Sequence, residues 1–251
     1  MTTSFNQQNS FSEKPKFFGR RKGRTIRKAK SFLLEDFLPR VLLDSAKQID
    51  LQKCFPSAKQ KYALEIGFGD GSHLAAIAKS QPETGFVGVE VYKNGVANLL
   101  SLITGVKEGN EEDLTREVCL ETGRIDNIRI YDDDVRLLFS VLPDACLDKI
   151  YLLFPDPWPK KKHANRRFIN PDNLKELARV LKKNGILQIA TDHAVYKGWV
   201  LHTMAKDKNF VWTANSSDDW RNPPVDWFET KYQRKAVREG RKPVFFEYKR
   251  V

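Results

Sequence analysis

The run LEIGFGDGS, Leu64 to Ser72, sets three glycines at alternate positions, Gly67, Gly69 and Gly71, behind one acid, Glu65. Glycines so placed let a backbone turn tightly and approach a ligand, and a helix starting after them offers unpaired N–H donors. A dinucleotide pyrophosphate site wants the spacing GxGxxG, so GxGxG favours a nucleotide-type ligand without a pyrophosphate, with Gly67 and Gly69 facing it. A carboxylate at Glu65 beside such a loop suits a cationic amine, which S-adenosylmethionine has and NAD lacks. Glu90 ends the next strand-like run, FVGVE, where an acid can accept hydrogen bonds from both hydroxyls of a ribose. Asp132, Asp133 and Asp134 end a third such run and offer a contact for an adenine amino group. Spacing alone does not choose among the three, and adjacent acids also make an ordinary polar turn.

A second chemical motif is LLFPDPWPKKKHANRR, Leu152 to Arg167. Pro155, Pro157 and Pro159 stiffen the chain around Asp156 and Trp158, an arrangement able to orient a flat base. Lys160, Lys161, Lys162, Arg166 and Arg167 then place cations beside it, suited to phosphates.

Both motifs need a scaffold that brings strand ends together. Strand-like and helix-like segments alternate along the chain, the sequence form of an α/β fold with a mostly parallel sheet and helices on both faces. Strands are expected at 61–66, 86–90, 127–131, 148–154 and 185–191, with closing strands at 209–215 and 244–249. The clearest helix is Pro171 to Asn184, with Leu174, Leu177, Ala178 and Leu181 on one face and Gly185 as its stop. From Phe32 to Leu51 the apolar residues fit a helical stripe broken near Pro39, and 103–112 reads as a loop insertion.

The 251 residues, 41% of them hydrophobic, suit one large domain with a short extension. Residues 1–30 form that extension, a basic arm containing FFGRRKGRTIRKAK that is expected to be mobile in isolation, and 31–251 form the domain. The arm reads equally as a phosphate grip or as a solubilising tail. Lys and Arg number 43 against 32 acids, and the net charge of +11 favours a polyanionic partner. No apolar stretch approaches the ~18 residues of a membrane span, and the polar start is unlike a secretory signal, so a cytoplasmic protein is expected, monomeric or homodimeric. Cys54, Cys119 and Cys146 form no CxxC pair, and His73, His163, His193 and His202 have no second ligand at a metal-binding spacing. No metal is expected.

The segments LEIGFGDG, FVGVE, FPDPWPKKKHANRR, IATD and ETKYQ, in that order, resemble the bacterial tRNA (guanine-N7-)-methyltransferase family from about Arg20 to the C terminus. The resemblance implies a class I methyltransferase fold, Rossmann-like, and transfer of a methyl group from S-adenosylmethionine to N7 of a guanine in the tRNA variable loop. It implies that Glu65, Glu90, an aspartate of the triplet and Asp156 contact the cofactor, with Asp156 also catalytic. Lys160, Asp192 and the stretch Thr230, Lys231, Tyr232 and Gln233 match positions used for the RNA. Counting back from Pro143 selects Asp133 of the triplet, and counting forward from Asn127 selects Asp134; Asp133 is taken. The family often has Glu where this chain has Gln233. Methyltransferases of exocyclic amines carry an acid-Pro-Pro-aromatic loop, whereas one proline separates Asp156 from Trp158 here.

Overall fold

A computed structural model of the chain describes residues 17–19, 21, 23–106 and 125–251. Cys119 and the expected insertion beyond Val106 lie outside the described residues. Seven strands form one sheet: β1 (Lys61–Ile66), β2 (Thr84–Val89), β3 (Ile128–Tyr131), β4 (Leu147–Leu153), β5 (Leu181–Thr191), β6 (Phe210–Trp212) and β7 (Val244–Arg250). Their order is β3-β2-β1-β4-β5-β7-β6. The first five run parallel, while β7 is antiparallel to both β5 and β6.

The strand sequences explain this arrangement. β1 reads KYALEI and is buried from its second residue on, the near-continuous burial of a parallel strand covered on both faces. Side chains alternate between faces. Leu64, Ile66, Ile150 and Leu152 join one apolar cluster with Leu174, Leu177 and Tyr196, and Ala63, Tyr151 and Leu153 join another with Ile77, Leu99 and Leu100. The sheet therefore has a core on each side. The crossovers diverge between β1 and β4, and the carboxyl ends of those strands open a crevice where ligands bind in folds of this kind.

Two boundaries differ from expectation. The helix that starts at Pro171, capped by the Asn170 side chain on Asn173 N, ends at Val180 and not at Asn184. Leu181 already pairs with Leu147, and the register shifts before Lys149 pairs with Ile186. Within the slack between them Asn184 takes a left-handed φ of 65°, so the residues that read as a last helical turn make a bulged start to β5. Near the N terminus, helix α1 (Lys28–Phe32) passes through a π turn (Leu33–Phe37) into α2 (Leu38–Val41). Proline lacks the N–H that an α-helix needs, and the widened turn directly before Pro39 absorbs the mismatch without a break. The chain leaves the helix at Leu42, so buried Ile49 sits in a loop, its N–H donated to Val141 O at 2.9 Å.

Candidate active site

The glycine loop joins β1 to helix α3 (Ser72–Ser80). Gly67, Gly69 and Gly71 have φ of 69°, 61° and 75°, a region that costs other residues roughly 1–2 kcal/mol each. A Cβ on Gly71 would lie 2.7 Å from the Leu99 side chain, so glycine also lets α3 seat against helix α4 (Lys93–Thr104). Gly69 N donates to Glu90 Oε2 at 2.8 Å, and Tyr92 N donates to Oε1 at 2.9 Å. These hydrogen bonds fix the carboxylate and leave lone pairs for a ligand. Burial raises the pKa of Glu90 above the usual carboxylate value, opposed by the N–H groups of Tyr92 and Gly69.

A cleft of about 890 Å³ opens here, with Gly67, Gly69, Glu90, Asp133, Asp156 and Trp158 in its wall. Asp134 also lines it, but Asp134 caps the helix Val135–Phe139 through Arg136 N and pairs with the Arg136 guanidinium at 2.5 Å. Asp133 is held by Arg21 Nη2 at 3.1 Å and accepts Asp134 N at 2.9 Å. Of the two, Asp133 has the more open carboxylate. Asp132 is not in the wall.

Glu65, the fifth residue of β1, stands two positions before Gly67. It is 2% exposed and lies beneath the cleft, outside its wall, with Oε2 accepting from His73 Nδ1 at 2.8 Å. His73 packs against Tyr151 and Trp227 at centroid distances of 5.4 and 5.3 Å.

The proline-rich loop follows β4 across the cleft from Glu90. Phe154 and Trp158, on either side of Asp156, have φ of 50° and 41°, strained for aromatic residues. Arg167 holds this shape. It is 5% exposed, donates Nη2 to Trp158 O at 2.9 Å and Nε to Pro157 O and Trp158 O at 3.2 Å, and lies over the Trp199 ring. Of the five cations read as phosphate-facing, Arg167 lines the cleft but spends its Nε and Nη2 on the loop carbonyls. Arg166 stacks against Trp158 and Phe18, with 4.9 and 4.6 Å from its central carbon to the ring centroids. Lys160, Lys161 and Lys162 are exposed and outside the cleft wall. His163 meets the Trp158 ring edge-on, and desolvation followed by the charges of Arg166, Lys162 and Lys160 lowers its pKa.

The C-terminal candidates divide. Thr230 caps the helix Lys231–Arg238 by accepting Gln233 N at 2.9 Å, and Lys231 and Tyr232 reach the cleft. Burial first, then Glu90, Asp156 and Asp70, raises the pKa of Tyr232. Gln233 accepts from Trp227 Nε1 at 2.5 Å, and Asp192 is paired with Arg241 at 2.6 Å, both outside the cleft wall. Sequence reasoning missed that Phe17 and Phe18 line the cleft and that Arg21 reaches Asp133. Two aromatics next to a basic run were the available signal. His73 and Trp227 carried none.

A family model described as "Putative methyltransferase" matches residues 59–246. The tRNA (guanine-N(7)-)-methyltransferase of Rhodospirillum rubrum is 41% identical over 95% of this chain and 89% of its own length. That of Agrobacterium fabrum is 42% identical over 92% and 94%. Among solved structures, the 16S rRNA (adenine(1408)-N(1))-methyltransferase from Catenulisporales acidiphilia covers 83% of this chain and 94% of its own, with a TM-score of 0.53 and 14% identity. That last likeness speaks for the fold alone, whereas identity near 40% along nearly the whole length speaks for common descent: the chain belongs to the tRNA (guanine-N(7)-)-methyltransferase family.

Proposed function

We propose that this protein transfers the methyl group of S-adenosylmethionine to N7 of a guanine in the variable loop of tRNA. The observation that carries the reading is one cleft with Glu90 pinned on one wall and Asp156 on a strained, clamped loop opposite. The wall chemistry fits the cofactor. Glu90 is assigned to the ribose hydroxyls, Asp133 to the adenine amino group, and Gly67 and Gly69 to close backbone approach. Glu65, its carboxylate held by His73 behind the glycine loop, is assigned to the cofactor's cationic amine.

S-adenosylmethionine supplies a methyl group already made electrophilic by its sulfonium, so the protein's share is geometry and electrostatics. Guanine N7 holds an in-plane lone pair and no proton. No general base is required, in contrast to an exocyclic amine. Attack leaves positive charge on the purine, and the Asp156 carboxylate stabilises that charge as it develops. Trp158, with the neighbouring Phe18 and Arg166 planes, offers stacking surface for a base turned out of its RNA. Lys160 and the exposed lysines after it, with Lys231 and Tyr232 at the rim, are assigned to the RNA, and the arm of residues 1–30 to its phosphates.

Among the described residues no helix is long and apolar enough to cross a membrane. A cytoplasmic location suits the substrate. The test is to incubate the protein with unmodified tRNA and methyl-labelled S-adenosylmethionine and to digest the RNA to nucleosides. Label in 7-methylguanosine is the expected result; label in a methyladenosine, or in guanine at another atom, overturns the proposal.

A further inference from the structure

His73, the second residue of α3, is a buried group that the proposed reaction does not use. Its Nδ1 lies 2.8 Å from Glu65 Oε2, and the two side chains are 3% and 2% exposed. A carboxylate only accepts, so Nδ1 carries the proton and donates. Nε2 is buried with no hydrogen-bond partner among the described residues, so the polar grip on the ring comes from Glu65 alone. Its other neighbours are aromatic. Tyr151 stands edge-on, and the Trp227 indole lies at 45° to the imidazole. Trp227 is braced from another direction by Phe245, at 4.8 Å between centroids, and donates its indole N–H to Gln233 Oε1. The Gln233 N–H is in turn held by Thr230 Oγ1. A continuous path thus runs from the end of β1, beneath the glycine loop, to the segment Thr230–Gln233.

We propose that His73 is a positioning residue for the RNA, acting through Trp227 on Gln233. The proposal rests on the reading of Thr230–Gln233 as an RNA contact. An indole N–H is a donor only, so the amide oxygen of Gln233 must face it, which turns the two N–H donors of the same amide away from the indole. A glutamate at this position would offer acceptors alone. Gln233 is therefore suited to an acceptor on the RNA, a phosphate or carbonyl oxygen, provided that Trp227 keeps the amide from rotating. Glu65 holds His73, His73 with Phe245 holds the indole, and the indole holds the amide. Trp227 and Gln233 are absent from the cleft wall, so loosening this end of the chain falls on RNA affinity.

The test is a double-mutant cycle with His73→Ala and Gln233→Ala, read as the KM for tRNA at saturating cofactor and as the Kd for S-adenosylmethionine. His73 and Gln233 share no hydrogen bond or ring contact, each meeting Trp227 instead, and independent sites multiply their effects. Each single variant is expected to raise the tRNA KM by roughly 5-fold, the size of one lost hydrogen bond, and Gln233→Ala also leaves the cofactor Kd within about 2-fold. The double variant should also stand near 5-fold, not near 25-fold, because both changes break one chain. Trp227→Phe keeps a ring in the stack and deletes only the indole N–H; it carries the same expectation if His73→Ala does not fold. Multiplicative effects, a wild-type tRNA KM in His73→Ala or Trp227→Phe, or a loss confined to cofactor binding would each overturn the coupling while leaving Gln233 as an RNA contact. A wild-type tRNA KM in Gln233→Ala would overturn the coupling and the RNA role of the segment together.

Discussion

Replacing Arg167 by alanine separates a loop clamp from a phosphate contact. In the structure the guanidinium makes one short bond, Nη2 to Trp158 O at 2.9 Å, and one shared bond from Nε to Pro157 O and Trp158 O at 3.2 Å, while lying 4.6 Å from the Trp199 centroid. A hydrogen bond to a charged group contributes about 1.5–3 kcal/mol, a weaker shared one about 1 kcal/mol, and a desolvated cation–π contact about 1–2 kcal/mol. The group's own burial cost works against these gains, so a net loss of about 3–4 kcal/mol is expected on truncation. For a protein of this size each kcal/mol moves the melting temperature by about 2–4 °C, which gives a fall of about 6–16 °C in a thermal scan. Turnover should also fall by ~10-fold or more in the protein that remains folded, because Trp158 would relax from its φ of 41° and carry Asp156 with it. The slope of tRNA affinity against salt should not change. A normal melting temperature combined with a salt slope reduced by about one charge would refute the clamp and make Arg167 a phosphate contact.

Three further outcomes follow from the cleft. Glu90→Gln should weaken cofactor binding by about 1.5–3 kcal/mol, since the amide has one accepting oxygen for the ribose hydroxyls where the carboxylate has two; unchanged calorimetric affinity would remove Glu90 from the site. Because burial raises the Glu90 pKa, wild-type affinity should decline on acidification at a pH above the ordinary carboxylate range, while the Gln variant stays flat through it. Arg21→Ala frees Asp133 from an ion pair with side chains 54% and 33% exposed, and the small worth of such pairs limits the gain in cofactor affinity to roughly 5-fold; a loss would assign Arg21 itself to the cofactor.

Where function lay in backbone shape or in strand order, it could be read from residue types. Alternating glycines announced left-handed turns, the strand ends fixed Glu90 and the aspartate triplet at one edge of the sheet, and three prolines announced a stiff loop. Three-dimensional commitments were not legible. Arg166 and Arg167 are neighbours of one type and both line the cleft, yet one stacks on Trp158 and the other is buried as a clamp over Trp199, more than thirty positions away. Glu65 was legible as an acid beside the glycine loop, but its pairing with His73, the second residue of the next helix, was not. The Lys182–Gly185 stretch read as a helix end because its composition suits one, and only pairing of Leu181 with Leu147 draws it into the sheet.

The central claim is that the cleft between Glu90 and Asp156 is where a methyl group passes to a purine that becomes cationic. Asp156→Asn tests it most directly, since the amide keeps the shape of the loop and removes the charge. Single-turnover methyl transfer at saturating tRNA and S-adenosylmethionine should slow by at least ~10-fold, with tRNA affinity reduced less, because the charge on the base appears only in the transition state. A wild-type single-turnover rate in the folded variant would contradict the account.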